Sequence, residues 1–232
     1  MTERCTRDMR AAISPEPMIT SRRARATADS ATDAVWRGKT RQTHAVTAER
    51  PGIRLRQLGT DQLTPADIGA LRDLLWAAFA EDEHGGFGED DWRHALGGIH
   101  FVLEVDAQIA SHAAVVEREL HVAGRALRTG YVEAVATVPA LQGQGLGTLV
   151  MREVNDYVAA KFELGALATG SQAFYERLGW RTWRGRSYVR TEHGEQRTSD
   201  EDGYILVLLT PSSPPLDLES PISCDWRSGD VW

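Results

Sequence analysis

The feature that most constrains this chain is the run Gln142-Gly143-Gln144-Gly145-Leu146-Gly147, set between a strand-like segment ending at Val138 and a helix-like segment reaching Phe162. Glycines let consecutive backbone N–H groups turn into one concavity. The start of a helix adds unpaired donors and a partial positive charge. Together these features predict a cradle for a pyrophosphate. A dinucleotide-binding turn would sit inside a βαβ unit with an acidic residue about 20 positions on. Glu163 lies near that offset, but the preceding segments read as antiparallel strands, which disfavours that fold. A P-loop would require Gly-Lys-Ser/Thr, which does not follow. The competing reading is a plain loop that happens to hold glycines.

Order is expected from about Pro51. Ile53 to Leu58 alternates apolar and polar, as a half-buried strand does. Thr64-Pro65 supplies an N-cap and a first-turn proline, and Ile68, Leu71, Leu74, Leu75 and Phe79 recur at helical spacing to about Ala80. Glu81 to Gly88 is acidic and glycine-rich, hence a loop, followed by a short helix around Asp91-Trp92 that stops at Gly97-Gly98. Ile99–Val105, Ile109–Leu120 and Leu127–Val138, joined at Asp106-Ala107 and Ala123-Gly124, predict an antiparallel meander. After the helix come a strand at Leu164–Ala168, a short helix at Ser171–Leu178, and two strands, Trp180–Val189 and Tyr204–Leu209, around a polar loop His193–Gly203. Prolines 211, 214, 215 and 221 enforce an extended tail, whose Trp226, Val231 and Trp232 predict docking onto the domain.

Residues 1–50 are rich in Ala, Arg, Thr and Ser and poor in large aliphatics, so they are expected to be disordered. They hold ten Lys/Arg against six Asp/Glu, whereas residues 51–232 hold sixteen against twenty-seven. An acidic domain argues against a nucleic-acid partner and favours a cationic substrate, although acidity also serves solubility alone. No apolar run approaches the roughly 18–20 residues needed to span a bilayer, no secretory h-region is present, and Cys5 and Cys224 make no disulfide framework. A cytoplasmic location without membrane contact is expected. His84, His94, His100, His112, His121 and His193 lack metal-ligand spacing, so no metal is expected; His112 and Ser111 lie on a central strand as structural or cleft-lining residues.

A strand, then Gln-x-x-Gly-x-Gly, then a helix, in this element order, resembles the GNAT N-acetyltransferase superfamily. The resemblance implies an α/β fold of mixed α+β type. A mostly antiparallel twisted sheet with splayed strands would be flanked by helices, and residues 51–232 would form one domain. It also implies acetyl-CoA as co-substrate. Val135, Ala136, Thr137 and Val138 would run along the pantetheine, and Gln142, Gly143, Gln144, Gly145, Leu146 and Gly147 would hold the pyrophosphate. Dimerisation is a fold-level expectation only.

Three segments resemble the aminoglycoside 2'-N-acetyltransferases in particular: Asp91-Trp92 to His100, Gly130-Tyr131-Val132-Glu133-Ala134-Val135-Ala136, and Cys224-Asp225-Trp226-Arg227-Ser228-Gly229-Asp230-Val231-Trp232. That resemblance implies that Asp82 or Glu83, Asp91, Glu201 or Asp202, Asp230 and the α-carboxylate of Trp232 contact ammonium and hydroxyl groups of the substrate. Carboxylates suit that task through charge-assisted hydrogen bonds. Glu133 is the expected general base, acting through a water, with Trp232 offering a second carboxylate. The alternative for Glu133 is a surface strand residue or a salt-bridge partner of Arg128. Tyr175, in Phe174-Tyr175-Glu176-Arg177-Leu178-Gly179-Trp180, is the expected proton donor to the CoA sulfur, since a phenol titrates near a thiol. The alternative makes Phe174 and Tyr175 packing residues, with Phe174 the core member. Two other functions stay open: acetyl transfer to a cell-wall amino sugar, polyamine or protein lysine, and a non-enzymatic binding module.

Overall fold

The structure, a computed structural model, describes residues 52–80 and 86–232. The expected extension 1–50 and the substrate candidates Asp82 and Glu83 lie outside the described residues.

Strand β1 (Ile53–Gly59) leads into helix α1 (Pro65–Ala78), then helix α2 (Glu89–His94). The start of α1 is fixed by a capping box. Thr64 Oγ1 accepts from the Asp67 N–H at 3.1 Å, and the Asp67 carboxylate accepts from the Thr64 N–H at 3.0 Å. Arg56 Nη2 donates to the same carboxylate at 2.5 Å, and this bond chiefly holds the Asp67 carboxyl down at about 2.

The meander follows as β2 (Ile99–Val105), β3 (Gln108–Val122) and β4 (Arg125–Thr137), antiparallel throughout. Both hairpins turn on two left-handed residues: φ is 49° and 63° at Asp106 and Ala107, and 49° and 80° at Ala123 and Gly124. Such turns match the right-handed twist of the strands they join. Then come α3 (Leu146–Lys161), β5 (Leu164–Ala168) and α4 (Gln172–Glu176).

The expected strand Trp180–Val189 is two strands, β6 (Arg181–Thr182) and β7 (Ser187–Thr191). Between them Trp183 is buried, and its Nε1 donates to the Ser220 carbonyl at 2.9 Å. At Gly185 a Cβ would lie 1.9 Å from the Ser220 carbonyl oxygen, so only glycine lets the tail pass. The polar loop contains β8 (Gly194–Arg197), which pairs with β7, and β9 (Ile205–Leu209) follows it. The proline-rich tail is more than a docked coil. Its strand β10 (Ile222–Asp225) inserts between β3 and β7, antiparallel to the first and parallel to the second. Val231 and Trp232 pack onto the domain, whereas Trp226, expected to dock with them, is exposed.

The result is one ten-stranded sheet with the path β6-β9-β5-β4-β3-β10-β7-β8, with β2 paired to β3 off this path and β1 paired to β2. Alternation along the strands sends side chains to two faces. Phe101 and Leu103 pack with Val150, Met151, Val154 and Val158 of α3, whereas Val102 packs with Leu71, Leu74 and Leu75 of α1. A third cluster joins Leu120, Leu127 and Trp183 to Ile222, Cys224 and Trp232 of the tail. Among the described residues no helix is long and apolar enough to cross a membrane.

Candidate active site

The two central strands part company. β4 pairs with β5 in parallel only at Thr129, Tyr131 and the residue between them, facing Leu164, Gly165 and Ala166. Beyond that point β4 runs on to Thr137 with no strand on this side among the described residues. The gap is a cleft with Glu133, Ala134 and Val135 on one wall and Leu167, Ala168 and Thr169 on the other. Backbone groups facing such a gap lack ladder partners and are available to an extended ligand.

The β3–β4 register shifts between the His112–Ala136 and Ala114–Glu133 pairs, so one residue of β3 faces two of β4. Such a bulge re-aims side chains. Ala134 within it has φ 52°, a left-handed conformation that costs a non-glycine residue about 1–2 kcal/mol. Its carbonyl accepts from His112 Nδ1 at 2.8 Å. His112 Nε2 is 3.0 Å from His100 Nδ1, and His100 Nε2 is 2.9 Å from Thr60 Oγ1. Both imidazoles are fully buried, and burial pushes His100 down to about 4 and His112 to about 3, so both are neutral. His112 is therefore not a cleft-lining residue. Ser111 is also buried and bonds the Ala136 carbonyl and Thr137 Oγ1, each at 2.8 Å.

Glu133, Asp91, Glu201 and Asp230 converge on the cleft together with Trp232. Asp91 reaches it from α2, where its Oδ2 also accepts from the Gly88 N–H at 2.6 Å. Burial raises the Asp91 carboxyl against that bond, with Glu133 and Asp90 adding to the rise. Asp230 is pushed up to about 7, first by burial and then by Glu201, Asp91 and Glu133, with Arg227 opposing.

Arg227 is the cation inside this acidic group. Its Nη1 donates to Glu133 Oε1 at 2.6 Å and its Nε to the Asp230 carbonyl at 2.6 Å. A more distant contact of 3.5 Å runs from Nη2 to the Trp232 backbone oxygen. The expected alternative partner of Glu133, Arg128, pairs instead with Glu117 at 3.3 Å. Trp232 is anchored by its ring, which is buried and donates from Nε1 to Thr198 Oγ1 at 3.1 Å.

Tyr175 sits on α4 at the floor of the cleft. It, and not Phe174, is the fully buried member of the pair; the rings meet edge-on at 4.9 Å. Burial pushes its phenol well above the ordinary value, so it keeps its proton at neutral pH.

The glycine-rich turn opens α3. Gly143 and Gly145 have φ of 74° and 80°, Gly145 is the N-cap without a side-chain capping bond, and a Cβ at either would meet nothing within 4 Å. Space beside the turn is thus open, and the first N–H groups of a helix lack intrahelical acceptors, a combination that suits a pyrophosphate. Gln142 and Gln144 are exposed beside them, and Gln142 Nε2 donates to the Thr137 carbonyl at 3.3 Å. Leu146 and Ala136 turn their side chains into the core, so only their backbone remains for a ligand. Thr137 and Val138 are half-buried between the cleft and the turn.

Of the remaining sequence candidates, Asp202 turns from the cleft to pair with Arg197 and to accept from Ser187 Oγ at 3.2 Å. Glu201 is the member of that pair that faces the cleft. Sequence reasoning assigned no role to Arg227, although it lies inside the terminal motif; 94 positions separate it from Glu133. Tyr131 also lines the cleft, its ring under the guanidinium groups of Arg118 at 4.6 Å and Arg227 at 5.6 Å.

A splayed sheet, a glycine-led helix start at one end of the splay and an acidic pocket beside it define an acyl-transfer scaffold. Residues 60–183 match the acetyltransferase (GNAT) domain family, and the chain belongs to that family and is an N-acetyltransferase. It is 42% identical over 181 residues, 76% of this chain and 91% of the other, to an aminoglycoside 2'-N-acetyltransferase from Mycolicibacterium fortuitum. Its fold is similar to that of a GNAT family acetyltransferase from Brucella melitensis in complex with acetyl-CoA. That match has a TM-score of 0.51 at 18% identity, over 76% of this chain and 96% of the other.

Proposed function

We propose that this enzyme transfers the acetyl group of acetyl-CoA to an amine of an aminoglycoside, at the 2' position. The observation that carries the reading is the convergence of Glu133, Asp91, Glu201 and Asp230 on the splay between β4 and β5. The name of the relative from Mycolicibacterium fortuitum supports the acceptor and the position. The acetyl-CoA complex of the Brucella protein supports the co-substrate for a fold of this kind.

The open turn fits the group. The α3 N–H groups with Gln142, Gly143, Gln144, Gly145 and Gly147 would hold the pyrophosphate, and the free edge of β4 from Val135 to Val138 would take the pantetheine. When bound, acetyl-CoA supplies an activated thioester. The residues of the chain do the rest. Asp91, Glu201 and Asp230 bind and orient a polycation, and their mutual repulsion falls when an ammonium enters. Glu133, held by Arg227, takes a proton from the ammonium, directly or through one water. The Ala134–Val135 peptide directs its carbonyl at His112; in a trans peptide the N–H points the opposite way, so the Val135 N–H faces the cleft and meets charge developing on an acyl oxygen. Tyr175, which burial moves away from the thiol range, keeps its proton and donates a hydrogen bond to the departing sulfur.

The test is release of CoA from acetyl-CoA with a panel of aminoglycosides, including kanamycin-type compounds that carry a 2'-hydroxyl. Turnover confined to 2'-amino compounds supports the full reading. Turnover of both kinds refutes the 2' position, and turnover of polyamines or amino sugars alone refutes the acceptor.

A further inference from the structure

We propose that Thr60, His100 and His112 form a positioning chain that locks the Ala134–Val135 peptide in the one orientation that presents the Val135 N–H to the cleft. The inference rests on the acetyl-CoA reading above.

Three observations carry it. First, Ala134 is left-handed at φ 52° in the interior of a strand, without the glycine that would make this conformation easy. Residues held this way persist only where their surroundings over-determine them. Second, the register shift takes this stretch of β4 out of the regular ladder, and the Ala134 carbonyl is caught by a side chain, His112 Nδ1 at 2.8 Å. Third, the bonding pattern admits one arrangement of protons on the two imidazoles. A carbonyl only accepts, so neutral His112 donates from Nδ1 and must accept at Nε2. His100 therefore donates from Nδ1 across 3.0 Å and accepts at Nε2 from Thr60 Oγ1 at 2.9 Å, a shorter contact than the 3.3 Å from the same hydroxyl to the Gly98 carbonyl. Thr60 Oγ1 in turn accepts from the Gly97 N–H at 2.9 Å, which ties the chain to the segment after α2. Every donor points towards Ala134 along the chain. If the peptide flipped, His112 Nδ1 would lose its acceptor inside a dry core, which is strongly unfavourable.

A pair of imidazoles that merely filled the core would have no need of this alternation. Phenylalanine would fill much of the same space, and asparagine would keep a donor near the position of Nδ1.

The experiment compares wild type, His112→Phe and His112→Asn in three measurements. These are kcat for acetyl transfer, the Kd of CoA, which lacks the acetyl oxygen, and long-range ¹H–¹⁵N spectra of the imidazoles. Loss of one preorganised backbone donor predicts that His112→Phe lowers kcat by about 10²-fold. The Kd of CoA should stay within about twofold, because the phosphate turn and the rest of β4 are untouched. His112→Asn should recover most of the rate. Wild-type spectra at pH 7 should show both histidines neutral and protonated at Nδ1. Unchanged kcat in His112→Phe, parallel loss of kcat and CoA affinity, or a proton on Nε2 of either ring overturns the positioning chain. Should His112→Phe fail to fold, the wild-type spectra and His112→Asn decide alone. A wild-type protein that binds no CoA refutes the acetyl-CoA reading itself, and this outcome is distinguishable from the others because it precedes any variant.

Discussion

Replacing Asp230 with Asn should stabilise the free enzyme while weakening its hold on a cationic substrate. The Asp230 carboxyl sits at about 7 in the folded protein against an ordinary value of 3.8, because it is buried beside Glu201, Asp91 and Glu133. The folded state thus holds this proton to higher pH than the unfolded chain. Stability is unaffected by the shift below pH 3.8, falls as pH rises towards 7, and stays reduced above 7. A shift of roughly three units at about 1.36 kcal/mol each sets a ceiling near 4 kcal/mol. The group is only partly enclosed, so solvent screening halves this to about 2 kcal/mol. Asparagine removes the charge at similar volume. Melting of Asp230→Asn and wild type, without ligand, should coincide at pH 3.5 and diverge to about 4–8 °C in favour of the variant at pH 8. In the same variant the KM of an aminoglycoside should rise at pH 8 with little change in the KM of acetyl-CoA. Equal melting temperatures at pH 8, or a variant that melts lower there, would refute the claim that burial beside the other carboxylates raises Asp230.

Arg227→Met removes the partner of a nearly buried Glu133 and should cost about 3 kcal/mol by chemical denaturation, with kcat reduced more than affinity for CoA. Tyr175→Phe keeps the packing against Phe174 and Trp180 but should lower kcat by about 10²-fold with the thioester while leaving the melting temperature near wild type. Gly145→Ala forces a side chain into φ 80° at the start of α3; it should cost about 1 kcal/mol of stability and raise the Kd of CoA, measured by calorimetry.

Periodicity made the meander, α1 and α3 legible, because each element buries one face and repeats its apolar residues accordingly. The glycine turn was legible because φ values of 74° and 80° at Gly143 and Gly145 need glycine. The break that splits Trp180–Val189 into β6 and β7, the strand β8 inside the expected polar loop, and β10 were not legible. A two-residue strand carries no period, and β10 owes its place to pairing with β3 and β7, which the tail sequence does not record. In the candidate site, Asp91, Glu133, Tyr175, Asp230 and Trp232 were singled out by their motifs, and the structure brings them to one cleft. The choice between Glu201 and Asp202 needed coordinates, since Arg197 captures the second. Arg227 and the histidine chain were missed because their partners are remote in sequence, and a bulge at Ala134 leaves no mark in an alternating strand.

The seat of β10 has a consequence for the timing of assembly. Within the sheet, the β7–β8 hairpin joins β3 only through β10, which the ribosome makes after both of its neighbours. A hairpin without a third strand is barely stable in water. The hairpin and the tail must therefore settle together, as the last closure of the sheet. That closure also delivers Arg227 and Asp230 to Glu133. On the function proposed above, a nascent chain that has already built the α3 turn would hold a nucleotide yet have no furnished acceptor side. On that reading, chemical competence is switched on by the completion of folding.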